Sequence, residues 1–251
     1  MSDTGQDDTL TDEEFLRWFK QLKDLASAEL LQLALLLSKE DYESEKHWHV
    51  LYTLRARGDE ETLNAVQNWC SSNNLVEREL TADFLSLFSG VKDENGNTVY
   101  PVIDTVLPLL ESLLDDPEVL VVSSAIYSLG NYDAFDAILA RPSLSENASV
   151  DVRLAVACSL GLSESKNSID ILIALSNDQD GETRNWAIFG LGSQCHFDTQ
   201  EIREALYQRM DDPHIEARCE ALVGLAVRKD VRVIPCIEKA LRAKWVGELV
   251  M

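Results

Sequence analysis

Apolar residues recur along this chain at helical spacing, as in Phe15, Trp18, Phe19, Leu22 and Leu25, or Ile169, Leu172, Ile173 and Leu175. That periodicity puts one apolar stripe on each helix. No segment alternates well enough to read as a strand, so the pattern predicts an all-α chain. Amphipathic helices are expected over Glu60 to Trp69, Val102 to Leu114, Ala134 to Leu139, Ser168 to Leu175, Gln200 to Met210 and Val233 to Leu241. The stretch 10–38 predicts a capping helix followed by a first packed helix.

Between these helices a second pattern repeats: Asp, a polar turn, an aliphatic residue and Arg, then Ala, then Leu-Gly. It reads Asp178, Thr183-Arg184, Ala187, Leu191-Gly192 in one copy and Asp212-Pro213, Ala217-Arg218, Ala221, Leu225-Ala226 in the next. Asp116-Pro117, Val121-Val122, Ala125, Leu129-Gly130 is a third, with Val122 at the Arg position. A fourth is Val152-Arg153, Val156, Leu160-Gly161, with Asn147 in place of Asp. Weaker copies centre on Arg78 and His47. The anchor positions 47, 78, 122, 153, 184 and 218 are separated by 31, 44, 31, 31 and 34 residues. A fixed period of this size indicates stacked helical hairpins, each covering the apolar face of its neighbour. The long interval holds the polar run Val91-Lys92-Asp93-Glu94-Asn95-Gly96-Asn97, read as a loop insertion near 90–100.

The motif has a physical reading. An Asp in the turn can accept unpaired amides of the following helix. The Arg six residues on can meet the Asp of the neighbouring hairpin, and the small Ala lets helices approach. Asp116, Asp178, Asp212, Arg153, Arg184 and Arg218 are the expected ladder. These residues resemble the second helix of the HEAT repeat, in the short variety also found in phycobilisome lyases, over roughly residues 40–243. The resemblance implies a right-handed α-solenoid of about six HEAT-like hairpins, read here as one array over 10–251 behind a disordered acidic N-terminus, 1–9. About function it says little, because such repeats serve scaffolds, adaptors, inhibitors and a few enzymes.

Charge narrows the choice. Asp and Glu number 44 against 22 Lys and Arg, a formal net charge of −22. Residues 1–120 carry −16 of it and 121–251 only −6, and Arg228 to Lys244 is locally basic. Such a balance argues against nucleic acid and anionic membranes and favours a basic protein partner. The five cysteines, Cys70, Cys158, Cys195, Cys219 and Cys236, are odd in number and scattered, as expected in a reducing compartment and not in a disulfide framework or zinc site. With no signal-peptide pattern and no apolar run long enough to span a bilayer, the expected location is the cytoplasm.

If the second helices line the concave face of the stack, residues one and five positions after each anchor share a stripe. They are Trp48 and Tyr52, Glu79 and Asp83, Ser123 and Tyr127, Leu154 and Cys158, Asn185 and Phe189, and Cys219 and Val223, with Trp186 alongside. Trp48, Tyr52, Glu79, Asp83, Tyr127, Asn185, Trp186 and Phe189 are the candidate partner-binding residues, aromatic anchors with acidic flanks. The plainer alternative packs these rings into the core between hairpins.

Other chemistry finds less support. His47 and His49, two residues apart, cannot hold one ion from a regular helix. Cys195-His196 has no second pair. Asp93, Asn95, Asn97 and Asp104 fall at calcium-loop spacing, but Thr98 stands where the frame needs Gly and Asp replaces the bidentate Glu. No His is followed by Glu, against the di-iron signature of deoxyhypusine hydroxylase, and the acidic balance opposes the cationic face of HEAT-like DNA glycosylases. The expected function is therefore non-enzymatic: an acidic concave surface that binds a basic protein, as an inhibitor or immunity protein neutralising a cationic toxin would. No catalytic residue, cofactor or metal is assigned, and the oligomeric state is left open. A bilin lyase of the same repeat family, or a general adaptor or assembly scaffold, is the alternative.

Overall fold

A computed structural model describes residues 12–40, 44–87, 91–92, 98–99 and 102–242. Its described residues form two compact units, Met1–Tyr100 and Pro101–Met251.

The first unit holds α1 (Asp12–Asp24), α2 (Ser27–Glu40), α3 (Glu45–Arg57), α4 (Glu60–Trp69) and α5 (Leu75–Ser86). Helix α2 packs on α3, α4 and α5, and its Leu30, Leu31 and Ala34 are buried with Val50, Leu51 and Leu54 of α3, Val66 of α4 and Leu80, Phe84 and Leu85 of α5. Helix α3 ends on Gly58, whose φ of +54° places it in the left-handed region while its amide reaches the Leu54 carbonyl. A side chain there would be strained, so glycine stops the helix cleanly. Arg57 then donates to the Leu22 and Lys23 carbonyls, closing the end of α1.

The insertion after α5 is not wholly a loop. Val91–Lys92 (β1) and Thr98–Val99 (β2) pair antiparallel, Val91 opposite Val99 and Lys92 opposite Thr98. This corrects the strand-free reading: two residues per strand are too few to produce an alternation that a sequence window registers.

The second unit is the regular part. It runs α6 (Ile103–Leu113), α7 (Val119–Asn131), α8 (Phe135–Leu139), α9 (Val150–Leu160), α10 (Lys166–Leu175), α11 (Gly181–Phe189), α12 (Gln200–Gln208), α13 (Ile215–Val227) and α14 (Ile234–Arg242). Helices α7, α9, α11 and α13 pack side by side as one layer, and α6, α8, α10 and α12 each pair with the helix that follows. Val121, Ala125, Val152, Val156, Ala187, Ile188, Ala217 and Ala221 are buried along that layer. The Leu-Gly positions let the backbones meet. A Cβ on Gly190 would lie 2.8 Å from the Gly161 Cα, and one on Gly224 would lie 2.7 Å from the Gly192 Cα. Only glycine fits at such separations.

Helix α11 does not end where the repeat suggests. Gly190–Gln194 widens into a π-turn, with the Cys195 amide on the Gly190 carbonyl at 2.9 Å. Arg228 seals it, donating to the carbonyls of Leu191, Gly192, Cys195 and Phe197 at 2.7 to 3.0 Å. Arg232 is also used internally, on Asp230 at 2.8 Å, on Glu204 at 2.6 Å, and 4.4 Å from the Tyr207 ring centroid. Part of the basic stretch 228–244 is therefore structural and not a free cationic surface.

Candidate functional site

The turns set the position of everything on the second-helix layer. Asp116, Asn147, Asp178 and Asp212 each accept the amide two residues on, from Glu118, Ser149, Asp180 and His214, at 2.8 to 2.9 Å. Those four donors are the N-cap residues of α7, α9, α11 and α13. The motif Asp thus folds the turn just ahead of the helix; it does not take a first-turn amide. In α9 and α11 that job falls to Ser149, which accepts from the Asp151 amide, and Asp180, which accepts from that of Thr183.

The arginines lock each turn to the next. Arg153 Nη1 donates to the Asn147 and Ala148 carbonyls of its own turn, while Nε and Nη2 hold Asp178 of the following hairpin at 2.6 and 2.9 Å. Arg184 repeats the arrangement, with Nη1 on the Asp178 and Gln179 carbonyls and Nε and Nη2 on Asp212 at 2.8 and 2.7 Å. Arg218 makes the first half of it, to the Asp212 carbonyl at 2.6 Å, and no carboxylate meets it among the described residues. Burial alone would raise the Asp178 and Asp212 carboxyls, but the hydrogen bonds and charges of the arginines and the turn amides outweigh it and hold both below the ordinary aspartate range.

On the layer so fixed, equivalent stripe positions lie next to each other. The Tyr127 hydroxyl of α7 is 4.0 Å from the Cys158 sulfur of α9. Tyr127 is 39% exposed and Trp186 of α11 is 40% exposed, with the Trp186 ring edge-on to Phe189 at 5.7 Å. Asn185 and Phe189 are half-buried, Cys219 is half-buried, and Val223 is exposed. The rings are neither all in the core nor all free: Phe189 supports, while Tyr127 and Trp186 face solvent.

Carboxylates line the same layer. Asp151, Glu182 and Glu216 sit two residues before their anchors, in the first turns of α9, α11 and α13. Burial and the neighbouring Cys158 push the pKa of the Tyr127 hydroxyl up, with Asp151 adding least, and Glu182 adds to the burial that pushes the Cys158 thiol up to about 11. A thiol so placed stays protonated at neutral pH and is no nucleophile. His214 stands between two of the acids, Nε2 3.2 Å from Glu182 and Nδ1 3.6 Å from Glu216. Sequence reasoning missed this acidic row, although its spacing of 31 and 34 residues follows the anchors.

In the first unit, Trp48 is half-buried beside His47, Tyr52 is exposed and edge-on to His49, and Glu79 and Asp83 are half-buried on α5. His47 is buried, facing Ser38, and His49 points its Nδ1 at the Glu45 carbonyl. No group of three or more His, Cys, Asp or Glu among the described residues could hold a metal ion. Of the calcium-spaced set, Asp93, Asn95 and Asn97 lie outside the described residues. Cys195 is buried, and its neighbour His196 pairs with Glu164 at 2.8 Å. No described helix is long and apolar enough to cross a membrane.

Residues 169–249 match the family model for HEAT repeats. Protein YibA of Escherichia coli strain K12, and that of strain O157:H7, are each 28% identical over 235 residues, 91% of this chain and 79% of theirs. The X-ray structure of E. coli YibA superposes with a TM-score of 0.70 at 26% identity, covering 94% of this chain and 82% of that one. The complex of CpcE and CpcF of phycocyanin lyase from Nostoc covers 95% and 98%, at 18% identity and a TM-score of 0.43, a level from which nothing about activity follows. Repeat, ladder, the HEAT match and the YibA structure agree on an all-α chain of HEAT-like helical hairpins, stacked as an α-solenoid in the second unit.

Proposed function

We propose that this chain is a non-enzymatic binding protein whose α7, α9, α11 and α13 layer takes up a basic protein. The observation that carries the reading is the exposure of Tyr127 and Trp186 on a layer whose first helical turns carry the exposed carboxylates Asp151, Glu182 and Glu216. Aromatic anchors supply contact area and carboxylates supply steering and register. Glu182 and Trp186, four residues apart, share one helix face, so a cation and an apolar group of one partner can be met together. The narrower form of the reading is an inhibitor or immunity protein that neutralises a cationic toxin, such as a nuclease, in the cytoplasm. Five free cysteines suit that compartment.

The test is affinity capture from host lysate at low salt, eluted by a salt step and identified by mass spectrometry. A Tyr127→Ala, Glu182→Gln, Trp186→Ala variant runs beside the wild type. The reading expects a basic protein that elutes with salt and is absent from the variant. An adaptor without charge preference would retain its partner through the salt step.

A further inference from the structure

The segment 195–199 joins the π-turn to α12, and its backbone is held from several sides. Arg228, whose side chain is 5% exposed, donates to the carbonyls of Cys195 and Phe197 at 2.9 and 3.0 Å. Arg203 grips Asp198 with two bonds, at 2.6 and 2.7 Å. Glu164 accepts the His196 amide at 2.7 Å. On this fixed loop Phe197 is 52% exposed. A loop pinned by a buried arginine that still holds its aromatic side chain in water is preorganised for contact, because little ordering entropy remains to be lost on binding.

Beside the ring lies a cavity of about 350 Å³. Ile169 and Ile173 of α10 form its deeper wall, and the exposed Glu164, Asp170 and Glu201 form its rim. Lys166 also lines it, but its Nζ is 2.6 Å from Asp170. Three carboxylates against one ammonium leave the lining at a net −2 with His196 neutral. Apolar depth, an aromatic wall and an anionic rim match one kind of group, a long aliphatic stem that ends in a cation.

We propose that this cavity docks a single lysine or arginine side chain of a partner protein, its stem against Ile169, Ile173 and Phe197 and its charged head at Glu164 and Glu201. The pocket belongs to α10 and the start of α12, not to the layer that carries Tyr127 and Trp186. It therefore stands or falls independently of the function proposed above.

The experiment is a ¹H–¹⁵N NMR titration of the whole chain with Nα-acetyl-arginine amide, and with Nα-acetyl-glutamine amide as the uncharged control. The proposal expects saturable shifts confined to 164–173 and 195–201 with the arginine probe only. It also expects about tenfold weaker binding in both Phe197→Ala and Glu201→Gln. Phe197 and Glu201 are exposed, and unchanged amide positions for Tyr127 and Trp186 show that either variant keeps its fold. Shifts that never saturate or spread over the acidic surface, equal shifts with the glutamine probe, or undiminished binding in both variants would overturn it. Shifts confined to 151–160 and 181–189, on α9 and α11, would overturn it too, while supporting the other face.

Discussion

Arg184 holds Asp212 of the following hairpin through two parallel bonds, 2.8 and 2.7 Å long, and the carboxylate is fully screened from solvent. Because the same guanidinium also holds the Asp178 and Gln179 carbonyls, one side chain fixes both its own turn and the next.

Removing either partner strands a buried charge. Arg184→Met or Asp212→Leu alone should destabilise the second unit by about 3–5 kcal/mol, while the double replacement should recover much of the loss. Urea unfolding of the four species gives the coupling energy. A coupling near zero would mean that the pair contributes nothing specific to the stack.

Acid should act through the same residues. The folded-state carboxyls of Asp178, Asp212 and Asp230 lie below their ordinary values, so their stabilising effect is fully present above the unfolded aspartate value near 3.9. It is lost as the pH falls from there through the lower folded-state values. Melting temperature against pH should therefore drop steeply below about pH 4 in the wild type. An Asp178→Asn, Asp212→Asn variant should start lower and show a shallower drop.

Arg228 offers a test of the π-turn. Arg228→Met leaves the carbonyls of Leu191, Gly192, Cys195 and Phe197 without their donor, the first three on buried residues, and should cost about 3 kcal/mol. Arg228→Lys should rescue little, because a compact ammonium cannot span the fork. Hydrogen exchange should show the loss concentrated at 190–199 and the adjoining end of α13.

Backbone contact between α9 and α11 predicts a further asymmetry. Gly190→Ala forces a methyl to within 2.8 Å of the Gly161 Cα and should destabilise by about 1–3 kcal/mol. Gly181→Ala meets the side chain of His214 and not a backbone atom as its nearest neighbour, and since that ring can shift it should cost less. Thermal melts of the two variants rank them.

The array was legible because its determinants are periodic: Arg184 and Arg218 recur with Asp six residues before and Ala three after, Arg153 keeps the same offsets with Asn147 and Val156, and each offset marks one helix start. What escaped is what breaks the period or depends on burial. Nothing in Leu191-Gly192 distinguishes a π-turn from a continued helix. Arg228 counted as part of a basic run, since a charge sum cannot see five carbonyls closing round one guanidinium. Asp151, Glu182 and Glu216 look like ordinary first-turn acids, favoured at any helix N-terminus by its dipole. Only the packing of α7, α9, α11 and α13 brings them onto one layer with the aromatic residues.

The central claim, that the layer of second helices binds a basic protein by charge and aromatic contact together, is tested most directly by the affinity of the captured partner measured at rising salt. Wild type, Glu182→Gln and Trp186→Ala are compared. The account predicts binding that weakens steadily with salt in the wild type, a smaller salt dependence in Glu182→Gln, and a loss of about 2 kcal/mol in Trp186→Ala. Affinity that is independent of salt and unchanged in both variants would contradict it.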